Sequence, residues 1–144
     1  MTLRIVLDTN VVVAGLRSRS GASAVLLDLI EEGALRIVVN APLVDEYEAV
    51  LQRPEHRRAH GLSDEDLRRF LGGLVDLAEL VATRLERRVV LVRDPDDAVV
   101  AEAAIDGGAD YLVTHNLRHF AEVLDVLSVV TPGELLRILA EVER

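Results

Sequence analysis

The chain has 144 residues, half of them hydrophobic, which is enough for a packed core in one domain spanning 1–144 and leaves little scope for disorder. Formal net charge is -9 and every basic side chain is an arginine, which excludes sites built on lysine, such as phosphate-loop, Schiff-base and phosphoaspartate chemistry, and argues against broad attraction to nucleic acid. The absence of cysteine excludes disulfides and thiolate metal sites, and four aromatic residues are too few for a base-stacking platform.

Leu3 to Leu7 predicts a buried strand that ends on Asp8 and opens Asp8-Thr9-Asn10. A turn containing Gly21 leads to a helix near 22–32, with Gly33 as its stop. Leu35 to Val39 reads as a second strand. Asn40-Ala41-Pro42 then starts a helix to about Gln52, with Pro42 tolerated in the first turn and Pro54 marking the break. Residues 53–61 read as a polar connection. Ser63, with Asp66 three residues on, is a capping-box pattern that opens a helix to about Val81. Residues 83–93 look extended, most strand-like over 89–92.

Asp94-Pro95 caps a small-residue helix ending at Gly107-Gly108. Tyr111 to Thr114 is a strand, followed by a short helix near 117–124 and a last short strand at 128–130. Thr131-Pro132-Gly133-Glu134 repeats the capping-box pattern before a final helix along Leu135, Leu136 and Leu139. This alternation predicts an α/β fold: a three-layer α/β/α sandwich around a parallel sheet of about four to five strands. No apolar run approaches the ~20 residues of a membrane span. The N-terminus lacks a basic lead and a small-residue cleavage site, so a cytoplasmic location is expected.

Polar oxygens fall at four strand ends or helix starts. Asp8 follows the first strand, where α/β folds place their ligand sites, and a charge there needs a cation, a donor or a proton to compensate it. The helix after Asn40 carries Glu46 and Glu48 on opposite borders of its apolar stripe, and spacing alone does not choose between them. Asp94-Pro95-Asp96-Asp97 is accounted for on its own as an N-cap with acids favoured by the helix dipole. Thr114-His115-Asn116 follows a strand and reads on its own as an ordinary turn.

Taken together these segments resemble the PIN (PilT N-terminus) domain family, particularly its toxin-like VapC branch. The resemblance is carried by Asp8-Thr9-Asn10, a glutamate in the following helical region, Arg93-Asp94-Pro95-Asp96-Asp97-Ala98-Val99-Val100-Ala101, Gly108-Ala109-Asp110-Tyr111-Leu112-Val113-Thr114-His115-Asn116, and the closing Val130-Thr131-Pro132-Gly133-Glu134-Leu135-Leu136. It implies an endoribonuclease that uses Mg²⁺ or Mn²⁺. The matching positions are Asp8, Glu46, Asp97 and Asn116, the three acids being the implied metal ligands. Thr9, Asn10, Asp96 and Thr114 would orient carboxylates or a water.

The family often has an aspartate where this chain has Asn116 and an acid where it has His119, so one charge is missing. Substrate contact needs positive charge, for which Arg53, Arg57, Arg58 and Arg118 are the candidates, against the alternative of solvated arginines. The toxin branch further implies a small antitoxin over the acidic cleft and a homodimer, with the helices near 22–32 and 63–81 as candidate surfaces. The rival within the same fold is a degenerate PIN domain that binds RNA or protein without cutting. Phosphoaspartate chemistry at Asp8 fails for want of a lysine.

Overall fold

The computed structural model describes residues 2–82 and 92–142. Strand β1 (Leu3–Leu7) leads into α1 (Thr9–Arg17) and α2 (Ala22–Glu31), then β2 (Leu35–Val39). Helices α3 (Ala41–Leu51), α4 (Pro54–His60) and α5 (Asp64–Leu77) precede a two-residue strand β3 (Glu79–Leu80). Helix α6 (Pro95–Asp106), β4 (Tyr111–Val113), a 3₁₀ helix (Leu117–Val123), β5 (Val129–Val130) and α7 (Pro132–Val142) complete the order.

The five strands form one parallel sheet in the order β3-β2-β1-β4-β5 with helices on its flanks, as the alternating pattern predicts. Strand β1 lies in the middle, and its last three residues, Val6, Leu7 and Ile5, are fully buried. Buried on both faces, β1 and β2 read as near-continuous aliphatic runs rather than alternating ones. Chain order reverses across β1 and β4: β1 runs on towards β2, while β4 leads away to β5. In such sheets the carboxyl ends of the two strands at the reversal leave a crevice for ligands. Leu7 pairs with Val113 at that point, so the residues that follow, Asp8 and Thr114, emerge side by side.

Two expectations need correction, and one helix is added. The addition follows Asp8, which caps α1, whose Val11, Val12 and Val13 are buried. The polar connection 53–61 is helix α4, which Pro54 starts and Gly61 stops at φ 67, a left-handed turn that favours glycine. It buries no residue, so it carries no apolar stripe to betray it. The helix expected to reach Val81 ends at Leu77, and Glu79–Leu80 pairs with β2 as the sheet edge. The short helix expected near 117–124 is present as a 3₁₀ helix over Leu117–Val123. The strand expected at 89–92 lies, apart from Val92, outside the described residues. Both capping boxes are present, Ser63 with Asp66 and Thr131 with Glu134.

Helix α3 is fixed at both ends of its functional stretch. Asn40 caps it by accepting a hydrogen bond from the Leu43 amide at 2.9 Å, and the buried Tyr47 hydroxyl donates to the Leu7 carbonyl at the end of β1. Asn40→Ala is expected to lower stability by about 1 kcal/mol. Asn40→Ser should cost less, because it keeps a capping oxygen and removes an amide nitrogen that is buried without a partner among the described residues. The urea midpoint at unchanged slope reads both effects.

Candidate active site

Asp8 is only 6% exposed. Its Oδ1 accepts from the Thr9 amide at 2.8 Å and its Oδ2 from the Thr114 hydroxyl at 2.7 Å. The strand reversal thus delivers both the carboxylate and a donor that holds it. Burial raises the Asp8 carboxyl above its ordinary pKa, and the hydrogen bonds from Thr114 and Thr9 oppose that rise only in part.

Asp97 sits in the first turn of α6, after Asp94 at the cap and Pro95 in the first turn. The capping reading of this segment holds for Asp94, whose Oδ1 accepts from the Asp96 amide at 2.8 Å. Asp97 meanwhile faces the same cleft as Asp8. Burial, then the charge of Asp8, pushes the Asp97 carboxyl up to about 6. Glu46 comes from α3 and lines the cleft as well, whereas Glu48 faces a separate hollow beside α5. Helix geometry therefore selects the residue that spacing left open. Burial raises the Glu46 carboxyl too, with Asp96 beside it adding to the rise and Arg53 opposing it.

The cleft has a volume of about 620 Å³ and is bounded by Asp8, Glu46 and Asp97, with Thr9, Asn10 and Asp96 between them. Among the described residues no three or more His, Asp or Glu close into a ligand set. A hard divalent ion still fits the donor chemistry. Mg²⁺ takes only one or two carboxylates from a protein and keeps water for the rest of its shell, and three acids whose pKa values are raised in one pocket are relieved by a cation.

A chain of hydrogen bonds joins the two central acids. The Asn116 amide donates to the Thr114 hydroxyl oxygen at 3.0 Å, and Asn116 Nδ2 lies 3.0 Å from His119 Nε2. His119 Nδ1 in turn sits 3.2 Å from Asp97 Oδ2. Asn116 itself does not line the cleft; His119 does. His119 thus holds Asp97 by a ring nitrogen. With Asn116 Nδ2 donating to Nε2, the ring proton is on Nδ1, directed at the carboxylate. Asn10 ties the loop from the other side, its Oδ1 accepting from the His115 amide at 3.3 Å.

His119→Ala is expected to weaken Mn²⁺ binding by about 10- to 100-fold, the usual cost of losing a group that orients a ligating carboxylate. Calorimetric titration of Mn²⁺ reads it directly.

The arginines divide. Arg53 lines the cleft, whereas Arg57 is ion-paired with Asp64 at 2.6 Å and, like the exposed Arg58 and Arg118, stands outside the lining. Two lining residues carry no signal in the local sequence pattern: Arg17 in the last turn of α1 and His56 on α4. Both come to the cleft through α1 and α4, the helices that the sequence pattern did not reveal. Tyr47 was legible as part of an apolar stripe, but not as the anchor that seats Glu46 above the end of β1.

A family model described as PIN domain matches residues 4–118. The chain belongs to the PIN domain family. The matched stretch holds Asp8, Glu46, Asp97, Thr114 and Asn116 and stops one residue before His119. The PIN fold is also that of a chain in the crystal structure of VapBC2 from Rickettsia felis bound to a DNA fragment from their promoter. That chain superposes with a TM-score of 0.63 at 18% identity, over 90% of this PIN domain and 98% of its own length, which establishes a shared fold. No curated protein sequence matches this PIN domain. Among the described residues no helix is long and apolar enough to cross a membrane.

Proposed function

We propose that this PIN domain is an endoribonuclease that hydrolyses RNA phosphodiester bonds with bound Mg²⁺ or Mn²⁺, acting as the toxin of a toxin–antitoxin pair. The observation that carries the reading is the meeting of Asp8, Glu46 and Asp97, from three separate elements, in one cleft at the carboxyl ends of β1 and β4. PIN domains are generally nucleases, and the fold neighbour from a VapBC2 complex supports an antitoxin partner. When bound, the ion supplies a water of lowered pKa and offsets the charge of the phosphate against the carboxylates.

Asp8 and Asp97 would hold that ion, Asp8 fixed by Thr9 and Thr114 and Asp97 by His119. Glu46, half-buried and with a raised pKa, accepts the proton of the attacking water at its carboxylate. Asn116 acts through His119 and Thr114, linking the two halves of the hydrogen-bond chain rather than touching substrate. Arg53 beside Glu46 is the arginine of the original four that stands where a phosphate would lie. A small antitoxin covering the cleft and a homodimer formed through α2 and α5, where Val25 and Leu77 are exposed, complete the proposal.

The second reading, a PIN domain that binds RNA or protein without cutting, draws on the missing closed ligand set among the described residues. A cleavage assay on purified protein, with Mn²⁺ titrated against EDTA, decides. Cleavage that rises with Mn²⁺ and vanishes on chelation supports the nuclease; RNA binding with no cleavage at any Mn²⁺ concentration leaves the non-catalytic module.

A further inference from the structure

The cleft is a trough whose charge changes sign along its length. Its floor is one face of α1: Asn10, Val13, Ala14 and Arg17 line it at the i, i+3, i+4, i+7 spacing of a single helical face. Its wall is Glu46 and Val50, one turn apart on α3, followed by Arg53 at the cap of α4 and His56 on α4. Helix α1 packs against both α3 and α4, so floor and wall run together. At one end lie Asp8, Glu46 and Asp97. Val13, Ala14 and Val50 make the middle apolar. Arg17 and His56 stand furthest from the acids, with Arg53, whose charge Glu46 feels, between them and Glu46.

Asp8 caps the start of α1 and Arg17 closes its last turn, nine residues and roughly 13–14 Å further along the axis at 1.5 Å per residue. That offset is longer than one phosphodiester linkage, so Arg17 overlies a linkage beyond the one held at the acidic end. The basic end is also uncommitted. Arg4, Arg36, Arg57 and Arg69 are engaged in ion pairs, whereas the Arg17 side chain has no hydrogen bond or ion pair among the described residues. His56 Nδ1 is buried with no hydrogen-bond partner among the described residues. In a chain of net charge -9, two arginines and a histidine at one end of an acidic cleft are a local exception.

We infer that Arg17 and His56, with Arg53 between them and the acids, form a phosphate subsite for a linkage beyond the cut, with the apolar middle of the trough seating a nucleoside on the way to it. This rests on the nuclease reading above and specifies its substrate: a single-stranded oligonucleotide laid along α1, not a mononucleotide or a lone phosphodiester. Arg17 is a binding residue here and takes no part in the chemistry.

The test uses a short unstructured RNA oligonucleotide, bound to the Asp8→Asn protein in Mn²⁺ across a salt series. Arg17→Ala in that background is expected to weaken binding about ten-fold and to reduce the slope of log affinity against log salt by about 0.7, the value for one phosphate of a single strand. Arg17→Lys should recover the salt slope but only part of the affinity, since lysine lacks the planar fork. Arg19→Ala, whose arginine lines a different groove, is the control and should change neither. An oligonucleotide with one neutral methylphosphonate on the flanking linkage should bind both parents alike, and so remove the effect of Arg17→Ala.

If Arg17→Ala binds RNA as its parent does, at an unchanged slope, the subsite is withdrawn and the basic end passes to a protein partner or to solvent. Cleavage by the otherwise wild-type chain keeps the two ideas apart. Metal-dependent cutting that Arg17→Ala leaves untouched sinks the subsite alone. Arg17-dependent RNA binding without any cutting by the wild type sinks the nuclease reading and leaves an oligonucleotide-binding trough. No RNA binding by any form sinks both.

Discussion

Asp8→Asn is expected to remove metal-dependent RNA cleavage, by at least about a thousand-fold, while leaving the metal-free protein as stable as the wild type or more so. The rate falls because the several kcal/mol that a bound ion gives to the transition state depend on a carboxylate at this position. Stability holds because the asparagine Oδ1 can still accept from the Thr9 amide and its Nδ2 can donate to the Thr114 hydroxyl oxygen in a reversed hydrogen bond, while the substitution removes a charge that burial makes unfavourable. Asp8→Ala should behave differently. It strands the Thr9 amide and the fully buried Thr114 hydroxyl without their acceptor, at a cost of roughly 1–3 kcal/mol. Single-turnover cleavage in Mn²⁺ and thermal melting in EDTA separate the two variants. An Asp8→Asn protein that cuts at the wild-type rate would remove Asp8 from the chemistry, and the proposed nuclease with it.

The same residue shows what local sequence reveals and what it hides. The strand Leu3–Leu7, the charge at its end and the strand before Thr114 were legible because buried parallel strands are aliphatic runs and their carboxyl ends are where polar residues collect. Helix α1 was hidden by the same logic. Its Val11, Val12 and Val13 continue the β-branched run of the strand, and Gly15 interrupts it. Those valines are helical because the Asp8 cap starts a helix and burial of all three outweighs their weak preference against it.

With α1 unseen, Arg17 had no position relative to Asp8. With α4 unseen, His56 was one charge in a polar stretch. Glu46 against Glu48 was undecidable from spacing because both border the apolar stripe. The tie breaks through a tertiary contact, the Tyr47 hydroxyl on the Leu7 carbonyl, which turns the Glu46 border towards Asp8. The hydrogen-bond chain through Asn116 and His119 has the same character. Its members were visible as departures from a family pattern, but the contact with Asp97 joins α6 to the loop after β4 and no local periodicity encodes it.

Removing divalent ions should leave a protein whose stability falls as pH rises through the range where the cleft acids ionise. A carboxyl whose folded pKa lies above its unfolded value binds its proton more tightly when folded. Its contribution is fully present below the ordinary value of 3.8 and is lost as pH climbs through about 6 for Asp97. Asp8 and Glu46 are raised in the same direction, chiefly by burial. Carboxylates held below their ordinary values, such as Asp66 by its Ser63 hydrogen bonds, act with the opposite sign.

The difference in Tm between wild type and Asp97→Asn therefore isolates the cleft better than either profile alone. In EDTA, Asp97→Asn should gain on the wild type as pH rises from about 4 to about 7. Mn²⁺ should reverse the order: at 100-fold over its Kd it stabilises the wild type by about 2.7 kcal/mol, roughly 10 °C in a chain of this size, and Asp97→Asn by much less. Ion binding releases the repulsion that the acids build up on folding, so the gain grows with pH as the competing protons leave. Equal Tm profiles for the two proteins in EDTA, together with no rise in Mn²⁺, would mean that Asp97 neither carries the strain of the cleft nor holds the ion.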